Sequence, residues 1–361
     1  MGRTSGPFFR RPEVIALRGA YLPGDRSVDL REVADPRPGH GQVLLRMRAS
    51  TICGSDIRAI YREHLGSGAE AYRGVIAGHE PCGEVVDVGE GCRSLATGDR
   101  VVVYHIAGCG LCEECRAGYM IACTSPDRAA YGWQRDGGHA DYLLAEERTC
   151  LALPEPLTFV DGANVACGFG TAYEAVVRGG VSGRTRVLVT GLGPLGLGVG
   201  LLARAMGASL VIGVDVEPHR MRLAEEIGAV DRSVPSDSDA GSAIRDVAGG
   251  GCEVAIDCSG SAAGRALAVG STSRRGTCVL IGEGGRLELD ASPSLIHPQR
   301  TLLGSWVTSI WRMEELLDRL VRWDLHPEIT VTDRFALADV GRAYDVADSG
   351  RAGKVAVVME P

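Results

Sequence analysis

Short apolar runs broken by Gly, Pro and Asp fill the first third of the chain, as in Gln42 to Met47, Gly83 to Val88 and Asp99 to Val103. Their β-branched content and length predict strands of a barrel-like β domain. After about residue 165 the pattern changes to alternating apolar strands and 3.6-period segments. Strands are expected at Arg186 to Thr190, Leu210 to Asp215, Val254 to Asp257 and Thr277 to Ile281, with helices at Leu195 to Met206 and Pro218 to Ile227. This alternation predicts a doubly wound parallel sheet, and so an α/β protein. From about Gly304 the pattern changes again, to an amphipathic helix at Met313 to Trp323 and a last strand at Lys354 to Met359. That tail fits either a third unit or a return to the first domain. With no internal repeat or flexible linker, closely packed domains with a cleft between them are expected.

A length of 361 residues suits two domains, or three at most. Hydrophobic residues at 45% and charged residues at 23% exclude wholesale disorder and a coiled-coil rod. The 50 glycines follow no G-X-Y period, so they read as turns and close backbone approaches. With 38 Lys and Arg against 46 Asp and Glu, the net charge of -8 argues against a nucleic-acid partner. Lys354 is the only lysine. No apolar stretch reaches the roughly 18 to 20 residues of a membrane helix; Gly191 to Ala203 comes nearest and is too short. Met1 to Pro12 carries Arg3, Arg10 and Arg11 with no apolar run behind them, unlike a secretory signal. A cytoplasmic protein with no membrane partner is therefore expected, and its 12 cysteines suggest metal ligation and burial rather than disulfides.

The apolar strand ending at Thr190 runs into Gly191-Leu192-Gly193-Pro194-Leu195-Gly196, which opens a helix. Glycines there permit a tight turn, approach of a pyrophosphate to the backbone and close helix packing, with the helix N-terminus facing the phosphates. Asp215 ends the next strand 19 residues after Gly196, where its carboxylate can accept the adenosine ribose hydroxyls. The plainer reading is a glycine-rich turn with a surface acid. An acid at that place repels a 2'-phosphate, which favours NAD over NADP, although His219 and Arg220 close behind would tolerate one.

Cys109, Cys112, Cys115 and Cys123 fall within 15 positions. Four thiolates suit a closed, tetrahedral, structural zinc site. A second set of potential ligands is scattered: Cys53, His79 and Cys167. If they converge, two Cys and one His make a three-ligand site with an open fourth position, as in a catalytic zinc centre. Taken singly, each is equally well a buried small hydrophobe or a core histidine.

Cys53-Gly-Ser-Asp, Gly78-His79-Glu80, Gly98-Asp99-Arg100-Val101, the four-cysteine lobe, the glycine fingerprint and Gly353-Lys354-Val355 together resemble the medium-chain zinc-dependent alcohol dehydrogenase family over nearly the whole chain. The resemblance implies a GroES-like β catalytic domain at 1–167 with the zinc lobe at about 105–125, a Rossmann domain at 168–305 and a C-terminal return at 306–361. It further implies two zinc ions per chain. Cys53, His79 and Cys167 would hold the catalytic one, Ser55 would start the proton relay, and Asp56 would orient His79. Glu80 would lie near the zinc, or else pair with an arginine as a buried charge. Gly191, Gly193, Pro194, Leu195, Gly196, Asp215 and Arg220 would bind the dinucleotide.

Two positions depart from the branch pattern. Cys167 stands where polyol and threonine dehydrogenases usually carry an acid, and Arg58 stands where a histidine often ends the Cys-Gly-Ser-Asp run. Cys53-Gly54 and Gly304-Ser305-Trp306 look instead like the polyol and threonine branch. His105, by resemblance to threonine dehydrogenases, would approach a substrate hydroxyl or amine; a packed histidine is the alternative. Trp306 and Trp311 are read as cleft, interface or packing residues.

The implied activity is hydride transfer from a secondary alcohol, such as a polyol or cyclitol, to NAD, reversible as ketone reduction. An amino-alcohol dehydrogenase is the second reading, and a non-catalytic NAD-binding redox sensor the third. The resemblance also implies a homodimer or homotetramer.

Overall fold

The structure, a computed structural model, describes residues 17–359. The reading of Met1 to Pro12 lies outside the described residues. In chain order the strands are β1 (Leu17–Tyr21), β2 (Asp29–Val33), β3 (Gln42–Ile52), β4 (Glu80–Val88), β5 (Arg100–Val103), β6 (Ile106–Ala107), β7 (Ala129–Ala130), β8 (Tyr142–Glu146) and β9 (Cys150–Ala152). There follow β10 (Arg186–Thr190), β11 (Leu210–Asp215), β12 (Arg232–Pro235), β13 (Cys252–Asp257), β14 (Thr272–Leu280) and β15 (Thr301–Gly304), then β16 (Val331–Ala336) and β17 (Lys354–Val358).

The first sheet has the order β16-β17-β3-β4-β5-β9, with β8 also paired to β3. β17 lies antiparallel to β3, Val355 opposite Ile52, so the C-terminal strands join the sheet built by the start of the chain. The second sheet is parallel throughout, in the order β12-β11-β10-β13-β14-β15. Its strand order reverses between β10 and β13, and the carboxyl ends of those strands form the crevice where open α/β sheets take their ligands. A GroES-like barrel beside a Rossmann sheet is thus the architecture. One hydrophobic core joins them, running from Val102 and Tyr104 through Phe169 to Leu197 and Leu316. No helix among the described residues is long and apolar enough to cross a membrane.

Several elements outrun their sequence signals, for identifiable reasons. β3 continues to Ile52, past the expected end at Met47, because register shifts at Leu44/Leu45 and Met47/Ala49 break the two-residue alternation. β14 begins at Thr272, where Arg274 and Arg275 mask a strand. The helix Ile310–Trp323 starts earlier than its apolar stripe, capped by Ser309, whose hydroxyl accepts the Arg312 amide at 3.3 Å.

One cap matters for the site. Thr158 caps the helix Phe159–Asn164, its hydroxyl accepting the Asp161 amide while Asp161 accepts the Thr158 amide. Buried Asp161 also accepts from His326 Nδ1 at 2.7 Å and from the Glu328 amide at 2.8 Å. The C-terminal segment is thereby tied to the helix that leads into Cys167. The hydrogen bond to Asp161 holds His326 above the ordinary histidine range. A histidine raised in the folded state contributes its full stabilisation below its unfolded pKa of about 6.5 and loses it as pH rises through the folded value. His326→Gln is therefore expected to lower stability by roughly 0.5–1 kcal/mol near pH 6, a figure reduced for solvent screening. The gap between variant and wild type should narrow by pH 9 in thermal melts.

Candidate active site and metal centres

Among the described residues, two groups bring their ligand atoms within 4.8 Å of one another: Cys109, Cys112, Cys115 and Cys123, and Cys53, His79, Glu80 and Cys167. The first group folds as a lobe around the short helix Glu113–Arg116, with Cys112 immediately before it. Cys109 Sγ accepts the amides of Leu111 and Cys112, both at 3.4 Å, and Cys123 Sγ accepts the Cys109 amide at 3.3 Å. The amides of Leu111 and Cys112 pull the Cys109 thiol down to about 6, whereas burial pushes Cys115 up to about 12. Amides aimed at convergent sulfurs are the surroundings a tetrathiolate ion requires, so this donor set fits zinc.

In the second group three separate elements deliver the ligand atoms. Cys53 follows β3 and precedes the short helix Gly54–Asp56, His79 immediately precedes β4, and Cys167 sits in the π-turn Val165–Phe169. A second π-turn, Ile57–Tyr61, follows Asp56. Such widened turns concentrate at functional sites because they re-aim side chains that an α-helix would place elsewhere.

Asp56 is fully buried and divides its carboxylate between the two sides of the cluster. Oδ1 lies 2.6 Å from His79 Nδ1, and Oδ2 accepts the Cys53 amide at 3.0 Å. With Nδ1 committed to Asp56, Nε2 is the nitrogen left for a ligand role. Burial opposes a positive charge on His79, but Asp56 and Cys53 more than offset it, and its pKa is well above the ordinary value. A hydrogen bond from Cys167, with His79 adding to it, drops the Cys53 thiol well below its usual range, while Cys167 is held well above. Two thiols of unlike acidity beside an oriented histidine make a donor set suited to a borderline-soft divalent ion, which displaces the protons the ligands still hold.

Glu80 is buried and held on three sides. It pairs with Lys354, accepts the Thr51 hydroxyl at 2.6 Å and accepts the Gly168 amide at 3.1 Å. Of the two alternatives, a place near the metal and a buried pair with an arginine, the structure shows Glu80 in the metal-ligand group and also paired, its partner being the chain's single lysine. Burial works against the Lys354 ammonium, yet the Glu80 carboxylate more than offsets it, so the lysine stays charged.

His105 lies against the cluster, its ring centroid 5.3 Å from that of His79. Nδ1 is 2.8 Å from the Ala166 carbonyl and must donate to it. Burial pushes His105 down to about 4, so the ring is neutral and Nε2 carries a lone pair. Trp133 meets the His79 ring edge-on at 6.1 Å. Ser55 sits half-buried between Gly54 and Asp56. Arg58 points away, toward Glu283.

At the end of β10, Gly191 has φ +90°, and a Cβ on Gly196 would fall against the Gly191 carbonyl oxygen, so neither position accepts a side chain. Gly193 and Pro194 open the helix Pro194–Ala205, its N-terminus at the crevice. Asp215 Oδ2 accepts the Leu192 amide at 2.7 Å, and Oδ1 accepts the Glu217 amide at 2.9 Å. Each carboxylate oxygen keeps a lone pair for a ribose hydroxyl. Arg220 Nη1 stands 3.8 Å from Asp215, and its buried Nε has no hydrogen-bond partner among the described residues. Two glycines that no side chain can replace, a helix N-terminus at the crevice and an unsatisfied guanidinium nitrogen fit a dinucleotide. Thr51, Trp133 and Lys354 were not singled out from the sequence for a role. The signal for Lys354 was present, as one charge opening an otherwise apolar strand.

The comparisons agree with this geometry. Residues 39–155 match the alcohol dehydrogenase GroES-like domain, and residues 194–322 match the zinc-binding dehydrogenase domain. The chain is 50% identical over 346 residues to the uncharacterized zinc-type alcohol dehydrogenase-like protein YphC of Escherichia coli K12, covering 94% of this chain and 98% of that protein. It is 29% identical to the L-threonine 3-dehydrogenase of Pyrococcus horikoshii, covering 92% and 95% respectively. Among solved structures, the alcohol dehydrogenase TADH from Thermus sp. ATN1 superposes with a TM-score of 0.85 at 25% identity, covering 95% of this chain and all of that one. The chain belongs to the medium-chain zinc-dependent alcohol dehydrogenase family, a family of oxidoreductases acting on small molecules.

Removing Lys354 leaves the Glu80 carboxylate buried and unpaired. Lys354→Met is expected to cost about 3–5 kcal/mol in denaturant unfolding, and Lys354→Met with Glu80→Gln to recover most of that loss.

Proposed function

We propose that the protein is a zinc-dependent dehydrogenase that oxidises a secondary alcohol of a polyol, cyclitol or similarly hydroxylated metabolite with NAD. The observation that carries this reading is the convergence of Cys53, His79 and Cys167, with Asp56 behind His79, in a chain whose second sheet carries a dinucleotide crevice. Cys53, His79 and Cys167 would hold a catalytic zinc, and Cys109, Cys112, Cys115 and Cys123 a structural one. When bound, zinc supplies Lewis acidity toward a substrate hydroxyl and NAD supplies the hydride acceptor.

The chain's own groups do the rest. Asp56 keeps the His79 tautomer fixed and restrains the Cys53 backbone. Ser55 Oγ takes up the substrate hydroxyl proton and hands it toward solvent. Lys354, Thr51 and the Gly168 amide hold Glu80 in place beside the cluster, fixing the negative charge there. The helix opened by Pro194 receives the pyrophosphate, and Asp215 takes the ribose hydroxyls, which favours NAD over NADP. The domain division that fits this reading ends the catalytic domain at Cys167 and the nucleotide domain at Ser305, with the zinc lobe at about 105–125. β15 ends its sheet with an unpaired edge, and Trp306 just beyond it is 53% exposed, which supports a homodimer or homotetramer.

A second reading, an amino-alcohol dehydrogenase, is favoured by His105. Its neutral ring offers Nε2 as a hydrogen-bond acceptor, suited to an ammonium or a second hydroxyl on the substrate. The threonine dehydrogenase relative points the same way.

The test is NADH formation over a matched panel of simple secondary alcohols, sugar alcohols, inositols, threonine and aminocyclitols. Turnover of hydroxylated compounds supports the first reading; turnover of amino alcohols but not of their deaminated analogues supports the second. Cys53→Ala is expected to abolish NADH formation and to lower metal content from about two zinc ions per chain to about one. Asp56→Asn should reduce activity or zinc affinity about 10–100-fold. Wild type with zinc in the four-cysteine lobe alone would contradict both readings and leave a non-catalytic redox sensor.

A further inference from the structure

Arg58 continues directly from the segment that carries Ser55 and Asp56, on the π-turn Ile57–Tyr61. Its guanidinium reaches across to the nucleotide domain and grips one residue twice. Nη1 donates to the Glu283 main-chain carbonyl at 2.6 Å, and Nη2 donates to Glu283 Oε2 at 2.6 Å. Glu283 is the one side chain in the run Gly282-Glu283-Gly284-Gly285, which follows β14 at the carboxyl edge of the Rossmann sheet.

This loop is anchored from below. The Gly282 amide donates to the Asp257 carbonyl at 2.8 Å, and Arg265 donates to the Gly282 and Gly285 carbonyls at 2.6 and 3.0 Å. Arg265 Nε stands 3.5 Å from the Asp257 carboxylate, and buried Asp257 accepts the Thr190 hydroxyl at 2.8 Å. Thr190 immediately precedes Gly191. Contiguous contacts therefore run from the glycine fingerprint through Asp257, Arg265 and the Gly282–Gly285 loop to Arg58, two residues beyond Asp56.

We propose that Arg58 and Glu283 form a clasp across the crevice, closing the Gly282–Gly285 loop over a bound dinucleotide and slowing its release. The inference rests on the dinucleotide reading given above. Arg58 is a positioning residue: it replaces the histidine expected at its place with a group committed to the opposite domain. The pair is about half solvent-exposed, 40% at Arg58 and 48% at Glu283, so water and salt reach it. Exposed ion pairs shift an equilibrium by up to about fivefold. That strength suits a contact that opens and recloses in each turnover, and because Arg265 holds the carbonyls of Gly282 and Gly285, only Glu283 and Gly284 between them need move.

The experiment is stopped-flow displacement of NADH, followed by its fluorescence, from the zinc-loaded full chain and from Arg58→Gln, Glu283→Gln, the double variant and the charge swap Arg58→Glu with Glu283→Arg. Each single variant is expected to release NADH about three- to fivefold faster at low salt, the double variant no faster than a single one, and the charge swap to recover only the ion-pair share of that effect, because a carboxylate at position 58 cannot donate to the Glu283 carbonyl. At 1 M NaCl, where the screening length is about 3 Å, the differences should collapse. Unchanged release rates in the single variants, or effects that add in the double variant, would overturn the clasp while leaving the dinucleotide reading intact. Wild type that binds neither NADH nor NADPH would overturn the dinucleotide reading itself, and the clasp with it.

Discussion

The hydrogen bond between His79 and Asp56 is the constraint on which the site depends. It is buried on both sides and joins a residue ahead of β4 to one just after β3. Because the other Asp56 oxygen takes the Cys53 amide, a single carboxylate sets the direction of the imidazole and the position of the first thiol together. A buried carboxylate is costly unless its lone pairs are used, so the same requirement that stabilises Asp56 also orients the ligands. Cys167 arrives from the far side on a π-turn whose preceding helix is capped by Thr158 and tied down through Asp161 to the C-terminal segment. The geometry of three atoms is thus carried by contacts spread over most of the chain.

Around this centre the charges form a graded set. Glu80 and Lys354 form a buried pair completed by a hydroxyl and an amide; the carboxylate favours the Lys354 ammonium, while burial raises the Glu80 carboxyl. His105 is forced neutral by the same burial and by the neighbouring His79, and the carbonyl at Nδ1 fixes its tautomer, so Nε2 presents an acceptor and no charge. The site therefore combines a fixed anion, a fixed cation and a neutral acceptor beside the thiols.

Much of the fold was legible in the sequence because its signals are local. The fingerprint from Gly191 to Gly196 is read from strand, turn and helix in succession, and the four-cysteine lobe lies within one short segment. The Cys53, His79 and Cys167 cluster is different. Cys53, His79 and Cys167 are separated by 26 and 88 residues, and no periodicity encodes their meeting. Their juxtaposition was expected only by resemblance, and the fold brings the ligand atoms within 4.8 Å of one another. Lys354 and Thr51 were missed for the same reason, since their partner Glu80 lies in a distant strand. The end of β3 was obscured because its bulges break the alternation that marks a strand. Arg58 was visible as a departure from the family pattern, but its target Glu283 lies 225 residues away.

The central claim is that this chain builds two distinct zinc centres, one closed and one with a position open to substrate. Anomalous diffraction from crystals of the purified protein, recorded on both sides of the zinc absorption edge, tests it most directly. Two zinc peaks per chain are predicted, one inside the Cys109, Cys112, Cys115 and Cys123 cage and one between Cys53, His79 and Cys167. A fully occupied peak in the cage with none beside His79, in protein purified with zinc present, would contradict the account.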